Sequence, residues 1–371
     1  MKPQLIIHIG RPKVGSTAIQ AFLNQNRAGL LKQGLCYPKT GLYHSASHHF
    51  SLVFLPGLPD HRVVRDIQPA ELFAQLRAEF EDSGASRALI SSENFWLVKP
   101  AKLAAQVAEY FDVKIIAYLR RQDDVLMSSF IQEVRGGSES LDQPMDEYLS
   151  DKSRLRLLDY DRVLASWEKS FGQENIEVRL YEAIDPEQGI ERDFLRALDI
   201  DAEAGFVFGK AKKNASPAVD ILKMLESIRE FPVGEISHRQ LSGILSEVSG
   251  QLGETERYDS RRLISAAQRQ RVIEHFADSN ARLFERYDCG GARFPELVPE
   301  ETMDAEPVEV TLDRNHRALL GILSYQQRQI QILISRLNHL QGTAPGASSL
   351  ATPRAAVKRG LLRRLLDRLG L

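Results

Sequence analysis

A loop that combines lysine, glycine and hydroxyl side chains is the part of this sequence whose residues most directly suggest chemistry. Residues 8–17 read HIGRPKVGST and contain Lys13, Gly15, Ser16 and Thr17. The apolar residues before the loop have the pattern of a buried strand, and those after it recur at helical spacing. Because free backbone N–H groups and the helix dipole meet at such a junction, the loop predicts a binding site for a phosphate or sulfate group.

The position of the lysine separates this loop from the P-loop of nucleoside triphosphatases. A P-loop reads GxxxxGK[ST], with the lysine directly after the second glycine. Here Lys13 stands two residues before Gly15. The spacing therefore disfavours a nucleoside triphosphate as the ligand, and the alternative for so short a motif is an ordinary turn with a helix cap.

A second strand–helix junction further along the chain also carries residues that bind anions. Residues 113–119 have the apolar sequence of a buried parallel strand, and Arg120 follows it directly. We expect Asp123 or Asp124 to cap the next helix, which carries Ser128. Arginine offers a planar fork of donors to phosphate oxygens, and a serine hydroxyl adds a neutral donor. Taken alone, the arginine has the alternative of a surface salt bridge.

Together the two motifs resemble those of sulfotransferases that use 3′-phosphoadenosine 5′-phosphosulfate (PAPS). The order KxG[ST]T at Lys13–Thr17 resembles their 5′-phosphosulfate loop, and the spacing of Arg120 and Ser128 resembles their 3′-phosphate site. The resemblance covers residues 4–290, well in the loops and loosely between them. It implies a P-loop NTPase-like sulfotransferase fold, sulfuryl transfer, PAPS as co-substrate and no metal.

The resemblance also implies individual roles. Lys13 is expected to contact the oxygen that bridges the sulfur and the 5′-phosphate, as a catalytic residue. A later basic segment resembles the loop that closes over the nucleotide in bacterial carbohydrate-type members. The expected cofactor-binding residues are Arg11, Gly15, Ser16, Thr17, Arg120, Ser128, Lys213, Asn214 and Ser216. One departure is Gln122-Asp123 in place of the family's Asp/Asn-Pro pair. This departure leaves open where the helix after Arg120 begins.

The general base is left open between a glutamate and a histidine. Glu93 follows the apolar segment 88–91, and so lies at the carboxyl end of a predicted strand. A cluster of histidines, His44, His48 and His49, follows the first predicted helix. Related enzymes use either residue type as base from similar positions, and Glu93 and His49 are the catalytic candidates here. The alternative role for Glu93 is a negative charge that stabilises a helix N-terminus. The histidines do not have the spacing of a zinc motif such as HExxH.

Composition limits the class of protein. The chain has 371 residues, 43% of them hydrophobic, and a formal net charge of −2. This is enough for a substantial core and gives no reason to expect a nucleic-acid partner. Two cysteines, Cys36 and Cys289, suit a reducing compartment. Since no apolar stretch is long enough for a leader or a membrane span, we expect a cytoplasmic protein.

Strand and helix signals alternate through the first half of the chain. This alternation predicts an α/β fold with a parallel sheet flanked by helices and ligands at the carboxyl ends of the strands. We assign residues 1–294 to this catalytic domain, with residues 215–288 mostly helical. The predicted strands are 5–9, 88–91, 113–119 and 176–181, and the predicted helices are 16–31, 69–82, 101–110, 124–134 and 160–170.

The remaining residues predict a helical appendage. An acidic, proline-rich linker is expected over 295–312, followed by a long helix over 313–340. Apolar residues there follow a heptad pattern interrupted by Gln326, which predicts a coiled coil and a homodimer, with packing onto the catalytic domain as the alternative. The heptad residues are Leu319, Leu323, Ile330, Leu333, Leu337 and Leu340.

The last residues combine leucines with basic side chains. A flexible linker is expected over 341–353 and an amphipathic basic helix over 354–371. Such a helix can lie on an anionic membrane, at the inner face in a cytoplasmic protein. The alternative is a disordered or self-docked tail.

The leading function is therefore PAPS-dependent sulfation of a hydroxyl on a carbohydrate or glycolipid. Two other readings stay open. One is a phosphotransferase or NTPase with Glu93 as a metal ligand, and the other is a non-catalytic PAP(S)-binding scaffold protein.

Overall fold

The computed structural model describes residues 2–209, 218–228, 260–297 and 314–342. The chain divides into two compact units. The first contains Met1–Glu226 and Ile244–Thr311, and the second contains Ser227–Gly243 and Leu312–Leu371. All predicted site residues that fall within the described ranges belong to the first unit.

A parallel sheet, with five strands among the described residues, positions the predicted site. In chain order the strands are β1 (Gln4–His8), β2 (Leu35–Cys36), β3 (Arg87–Ser91), β4 (Asp112–Leu119) and β5 (Ile176–Leu180). Their order across the sheet is β2-β3-β1-β4-β5, so β1 is central between β3 and β4. The loops after β1, β3 and β4 therefore meet at one edge, where open parallel sheets bind ligands.

Helices cover both faces of this sheet. Successive residues of β1 point to opposite faces, and Leu5 and Ile7 belong to one apolar cluster while Ile6 belongs to the other. The helices are α1 (Ser16–Gln25), α2 (Arg27–Lys32), α3 (His49–Leu52), α4 (Pro69–Ser83), α5 (Pro100–Val107), α6 (Gln122–Gly136), α7 (Met145–Ser150), α8 (Lys152–Leu158), α9 (Tyr160–Phe171), α10 (Gly189–Ala197), α11 (Val219–Ile228) and α12 (Ala266–Arg286). Near-continuous burial of the strands is typical of a parallel sheet covered on both sides. The predicted α/β fold is confirmed.

The first predicted helix is interrupted. Residues 16–31 form two helices, because Asn26 ends α1 and precedes α2. The Asn26 amide donates to the carbonyl oxygens of Phe22 at 2.9 Å and Val207 at 2.8 Å, and its Oδ1 accepts from the Val207 N–H at 2.8 Å. The partner is distant in sequence, so periodicity alone did not reveal the break. The two-residue strand β2 was also missed, since it is too short to show a period.

The predicted aspartate cap of α6 is wrong. The helix begins at Gln122, with Arg121 at the N-cap and no side-chain cap. Asp123 is instead fully buried between two guanidiniums, 2.7 Å from Arg121 Nε and 2.6 Å from Arg269 Nη1. The carboxylate therefore joins α6 to α12 through buried ion pairs rather than capping its own helix.

The second unit contains the long helix α13 (Arg314–Gly342), of 29 residues. The predicted helix over 313–340 is thus present, and it continues past residue 341, where the flexible linker was expected to begin. Leu323 and Ile330 are 48% and 49% exposed. The tail 354–371 and most of the linker 295–312 lie outside the described residues. Within the described ranges, every helix is too short or too polar to span a bilayer.

The buried ion pairs of Asp123 predict a large loss of stability in Asp123→Ala. Removing the carboxylate that two buried guanidiniums share is expected to cost about 3–5 kcal/mol. The matched control is Asp146→Ala, whose pair with Arg271 is about two-thirds exposed and is expected to cost less than about 1 kcal/mol. Urea unfolding measures both, and equal losses would contradict the structural role of Asp123.

Candidate functional site

The loop between β1 and α1, residues 9–15, exposes backbone donors at the helix N-terminus. Gly15 is the N-cap of α1, in the left-handed conformation with φ 87°, and provides no side-chain cap. The first N–H groups of the helix therefore lack a cap from this residue and face the loop. A Cβ at Gly15 would lie 2.4 Å from Ile190 Cδ1. The positive φ favours glycine here, and a larger residue would also displace the Ile190 side chain.

Lys13 lies in a strongly positive part of this loop. Its own backbone is left-handed, with φ 77°, which is uncommon for a residue with a side chain. Burial, and then the nearby Arg135 and Arg120 guanidiniums, lower the pKa of Lys13, and Glu133 opposes them. A bound anion would relieve this concentration of positive charge.

Arg120 brings the second predicted anion site to the first. Its Nη1 lies 3.5 Å from the Lys13 carbonyl oxygen, and its guanidinium lies over the Tyr181 ring, 5.2 Å from the centroid. Its Nη2 is 3.5 Å from Asp124 Oδ2. Ser128 is one helical turn beyond that aspartate on α6, so the two share a helix face. The structure therefore brings Lys13, Arg120 and the Ser128 face of α6 to one edge of the sheet.

Arg11 supplies a further buried cation at the same place. Its Nε and Nη1 are buried and have no hydrogen-bond acceptor among the residues that the structure describes. Burial lowers the pKa of Arg11, and Tyr160 and Tyr148 oppose this. The Tyr160 hydroxyl donates to the Arg120 carbonyl oxygen at 2.6 Å, which links the two arginine segments. Since a buried N–H without an acceptor is costly, these donors fit an anionic ligand.

The hydroxyl residues of the loop differ in their surroundings. Ser16 is buried, and its Oγ donates to the Arg11 carbonyl oxygen at 3.2 Å, so that hydroxyl braces the loop. Thr17 is exposed. The remaining predicted cofactor residues, Lys213, Asn214 and Ser216, lie outside the described residues.

Glu93 lies at the carboxyl end of β3, as predicted, and is held toward α1. It begins the short 3₁₀ helix Glu93–Leu97, which Ser92 caps by accepting from the Asn94 N–H. The Gln20 amide of α1 donates to Glu93 Oε2 at 2.7 Å. Because the N-terminus of α1 faces the loop after β1, this bond positions the carboxylate relative to that loop.

The histidine that meets Glu93 is His48. Its Nε2 is 3.9 Å from Glu93 Oε1, and its Nδ1 is 2.8 Å from Ser92 Oγ. Burial lowers the pKa of His48, and the Glu93 carboxylate opposes this. His44 and His49 instead pack against the Tyr43 ring, at 4.5 and 6.1 Å between centroids. The predicted histidine cluster therefore meets the site through His48 rather than through His49.

Two polar residues of this region were missed from the sequence. Gln20 is buried one turn after Ser16, and a polar residue within the apolar stripe of α1 was the available signal. Glu182 accepts the Arg121 N–H at 2.7 Å, its Oε2 is buried without a partner among the described residues, and burial raises the pKa of Glu182. Nothing in the local sequence indicated that this glutamate lies beside the end of β4.

Comparisons with known proteins give similarities at low identity. No family model matches the chain. It is 28% identical over 178 residues to a protein of Archaeoglobus fulgidus described as uncharacterized. The aligned segment is 47% of this chain and 45% of the relative. The chain thus matches less than half the length of that relative.

Three solved structures that resemble the chain are sulfotransferases or sulfotransferase domains by description. One is a sulfotransferase from Alicyclobacillus acidocaldarius, with a TM-score of 0.43 and 17% identity over 77% of this chain and 95% of that one. Another is the sulfotransferase domain from the curacin biosynthetic pathway, with a TM-score of 0.32 and 13% identity. The match covers 54% of this chain and 75% of that one. The third is the sulfotransferase domain from the Synechococcus olefin synthase, with a TM-score of 0.34 and 17% identity. The match covers 54% of this chain and 74% of that one.

The buried donors of Arg11 predict a specific response to a divalent oxyanion. Sulfate well above its Kd is expected to stabilise the wild-type protein by about 1–3 kcal/mol relative to chloride at equal ionic strength, since it binds only the folded state. Arg11→Met should lose most of this stabilisation, and the exposed control Arg62→Met should keep it. Thermal unfolding measures the effect, and an equal response in all three proteins would contradict an anion site at Arg11.

Proposed function

We propose that this chain is a PAPS-dependent sulfotransferase that transfers a sulfuryl group to a hydroxyl of a carbohydrate or glycolipid acceptor. The observation that carries the proposal is the approach of the Arg120 guanidinium to the Lys13 carbonyl, 3.5 Å apart, at the ends of adjacent strands. A nucleotide with phosphate groups at both its 3′ and 5′ positions presents two anions close together, and this site has two groups of donors to match.

The donors of the site divide between the two ends of such a nucleotide. The first N–H groups of α1, at Ser16 and Thr17, and the Thr17 hydroxyl would hold the 5′-phosphate, as helix N-termini commonly do. Arg120 and Ser128 would hold the 3′-phosphate. The unsatisfied buried N–H groups of Arg11 are further donors that fit an anionic ligand. When bound, PAPS supplies a sulfuryl group on a phosphate leaving group.

Lys13 is the residue that we place at the leaving oxygen. Negative charge develops there during transfer, and a preformed cation in a half-buried site stabilises it strongly. The backbone of Lys13 is left-handed, and burial and the neighbouring guanidiniums lower its pKa. Its role is electrostatic and requires no proton transfer from the lysine.

Glu93 is the residue that we propose as the general base. A carboxylate can accept the proton of the acceptor hydroxyl as the oxygen attacks sulfur. Gln20 holds Oε2 at 2.7 Å, and His48 lies 3.9 Å from Oε1. His48 is then a positioning residue, since its Nδ1 is tied to Ser92 and burial lowers its pKa.

Two alternatives differ in what they bind or turn over. A phosphotransferase or NTPase would bind ATP more tightly with Mg²⁺ than without it, and it is disfavoured by the lysine that precedes Gly15. A scaffold protein would bind PAP without turnover. Calorimetry with PAP, ATP, and ATP plus Mg²⁺ distinguishes the first alternative, and transfer of labelled sulfate distinguishes the second.

Lys13→Ala is expected to abolish transfer of labelled sulfate from PAPS to a glycan acceptor while the protein stays folded. The loss of one preorganised cationic donor at the leaving oxygen should cost a factor of about 10²–10³ in kcat. The control is Lys102→Ala, which removes an exposed lysine of α5. Undiminished transfer by Lys13→Ala would contradict the leaving-group role.

The two candidate bases are separated by substitutions that remove each group in turn. Glu93→Gln is expected to lower kcat by a factor of about 10²–10⁴, because it removes the carboxylate that accepts the proton. His48→Asn should lower kcat less than about tenfold, since it removes one contact of that carboxylate. The reverse pattern would assign the base to His48.

Two predictions from the sequence concern the location of the protein in the cell. The cytoplasmic location and the contact of the basic tail 354–371 with anionic membranes remain predictions from the sequence. A glycolipid acceptor would suit both, because it would bring the substrate and the tail to one membrane surface.

We also propose that α13 forms a homodimeric coiled coil. Its heptad residues Leu319, Leu323, Ile330, Leu333 and Leu337 are between 39% and 57% exposed. Apolar residues in this repeat are buried when two such helices pair.

Ile330→Lys is expected to convert the dimer to a monomer by placing a charge in the helix pair. The matched control is Gln329→Lys, which adds the same charge at the neighbouring exposed position outside the heptad pattern. Sedimentation velocity measures the mass of both proteins. A wild-type monomer, or dissociation by both variants alike, would contradict the proposal.

A further inference from the structure

A cleft of about 1070 Å³ lies in the first unit. It lies between α5, α8, α9 and the 3₁₀ helix Glu93–Leu97. Its charged lining residues are all basic. They are Lys99, Lys152, Arg156, Arg162 and Lys169. Ser153, Ser166 and Ser170 add hydroxyl groups to the lining.

The charges of α9 are separated between two faces of the helix. Its acidic residues Asp161 and Glu168 pair with arginines of α12, including Arg282 at 3.0 Å and Arg286 at 2.5 Å. Its basic residues Arg162 and Lys169 line the cleft. The carboxylates nearest in sequence are therefore engaged elsewhere and do not neutralise the cleft.

Helix α8 carries no acidic residue, and its cations divide between ion pairs and the cleft. Arg154 pairs with Glu133 at 2.6 Å and Glu139 at 2.5 Å, whereas Lys152 and Arg156 line the cleft. Within the described parts of the chain, none of the five cleft cations has a carboxylate within 4.0 Å. A concave surface whose charged groups are all cations concentrates the electrostatic field and attracts anions.

Two elements that line the cleft also carry residues at or next to the candidate site. Trp96 lines the cleft three residues after Glu93, about 6 Å along the 3₁₀ helix. Helix α9 begins at Tyr160, which donates to the Arg120 carbonyl oxygen. It then follows the cleft to Ser170, about 15 Å further along the helix axis. A chain bound along α9 would thus run away from the end of the helix that contacts Arg120.

We propose that this cleft binds an anionic segment of the acceptor, a linear acidic carbohydrate whose carboxylate or sulfate groups meet the five cations. The assignment of this carbohydrate as the acceptor rests on the function proposed above, whereas its binding does not. The serine hydroxyls suit a sugar chain. The two tryptophans of the lining, Trp96 and Trp167, are 4% and 0% exposed, so they offer no stacking surface for the bases of a nucleic acid.

The test uses the full chain and a fluorescent oligogalacturonate, with its methyl ester as a neutral probe of the same backbone. The cleft variant is Lys152→Glu with Arg156→Glu, both at exposed positions. The control, Lys102→Glu with Arg65→Glu, makes the same change in net charge at exposed positions outside the lining. Fluorescence anisotropy at a fixed salt concentration gives Kd, and calorimetry gives PAP affinity for each protein.

The oligogalacturonate is expected to bind the wild-type protein at least about tenfold more tightly than the ester does, because charged contacts dominate. The cleft variant should lose at least about tenfold in affinity, and the control less than about threefold. Unchanged PAP affinity in the cleft variant would support a separate acceptor surface.

Four results would overturn the proposal: no binding by the wild-type protein, equal binding of the ester, equal losses in both variants, or tighter binding of a single-stranded oligonucleotide of the same charge. A protein that binds the oligogalacturonate in the cleft but does not bind PAP would support the cleft and contradict the proposed function. The two failures are therefore distinguishable.

Discussion

The structure of the candidate site depends on the side-by-side pairing of β1 and β4. His8 pairs with Ile116, and β4 continues through Leu119, beyond the last residue of β1. The strand that ends in Arg120 therefore runs alongside the loop after β1. This pairing brings the Arg120 guanidinium to the carbonyl of Lys13, although the two residues are 107 positions apart in the sequence. Without it, the two motifs would be separate helix N-termini.

Some half-buried cations of the first unit are matched by carboxylates, as in the pair of Arg179 with Asp193 at 2.7 Å. Others are not, and Arg27 instead donates to the Tyr37 carbonyl oxygen at 2.7 Å. At the site, burial lowers the pKa of Lys13 and of Arg11, and buried N–H groups of Arg11 have no acceptor among the described residues. A protein tolerates such groups when a ligand supplies the missing charge, which is why we regard the site as built for an anion.

The sequence predicted the parts of this arrangement that depend on local patterns. Strand ends followed by Lys13, Glu93 and Arg120 could be recognised because periodicity and turn chemistry are local. The contact of His48 with Glu93 could not, since it depends on a loop whose position is fixed by Ser92. The same limit explains the wrong cap at Asp123, where long-range ion pairs outweighed a local preference.

The binding of a nucleotide with and without its 3′-phosphate tests the central claim most directly. Calorimetry would compare PAP with adenosine 5′-phosphate on the wild-type protein and on Arg120→Ala. The account predicts that the variant loses about 1.5–3 kcal/mol of PAP affinity, roughly 10- to 150-fold, and little affinity for the monophosphate. Equal losses for both nucleotides, or no binding of PAP to the wild-type protein, would contradict it.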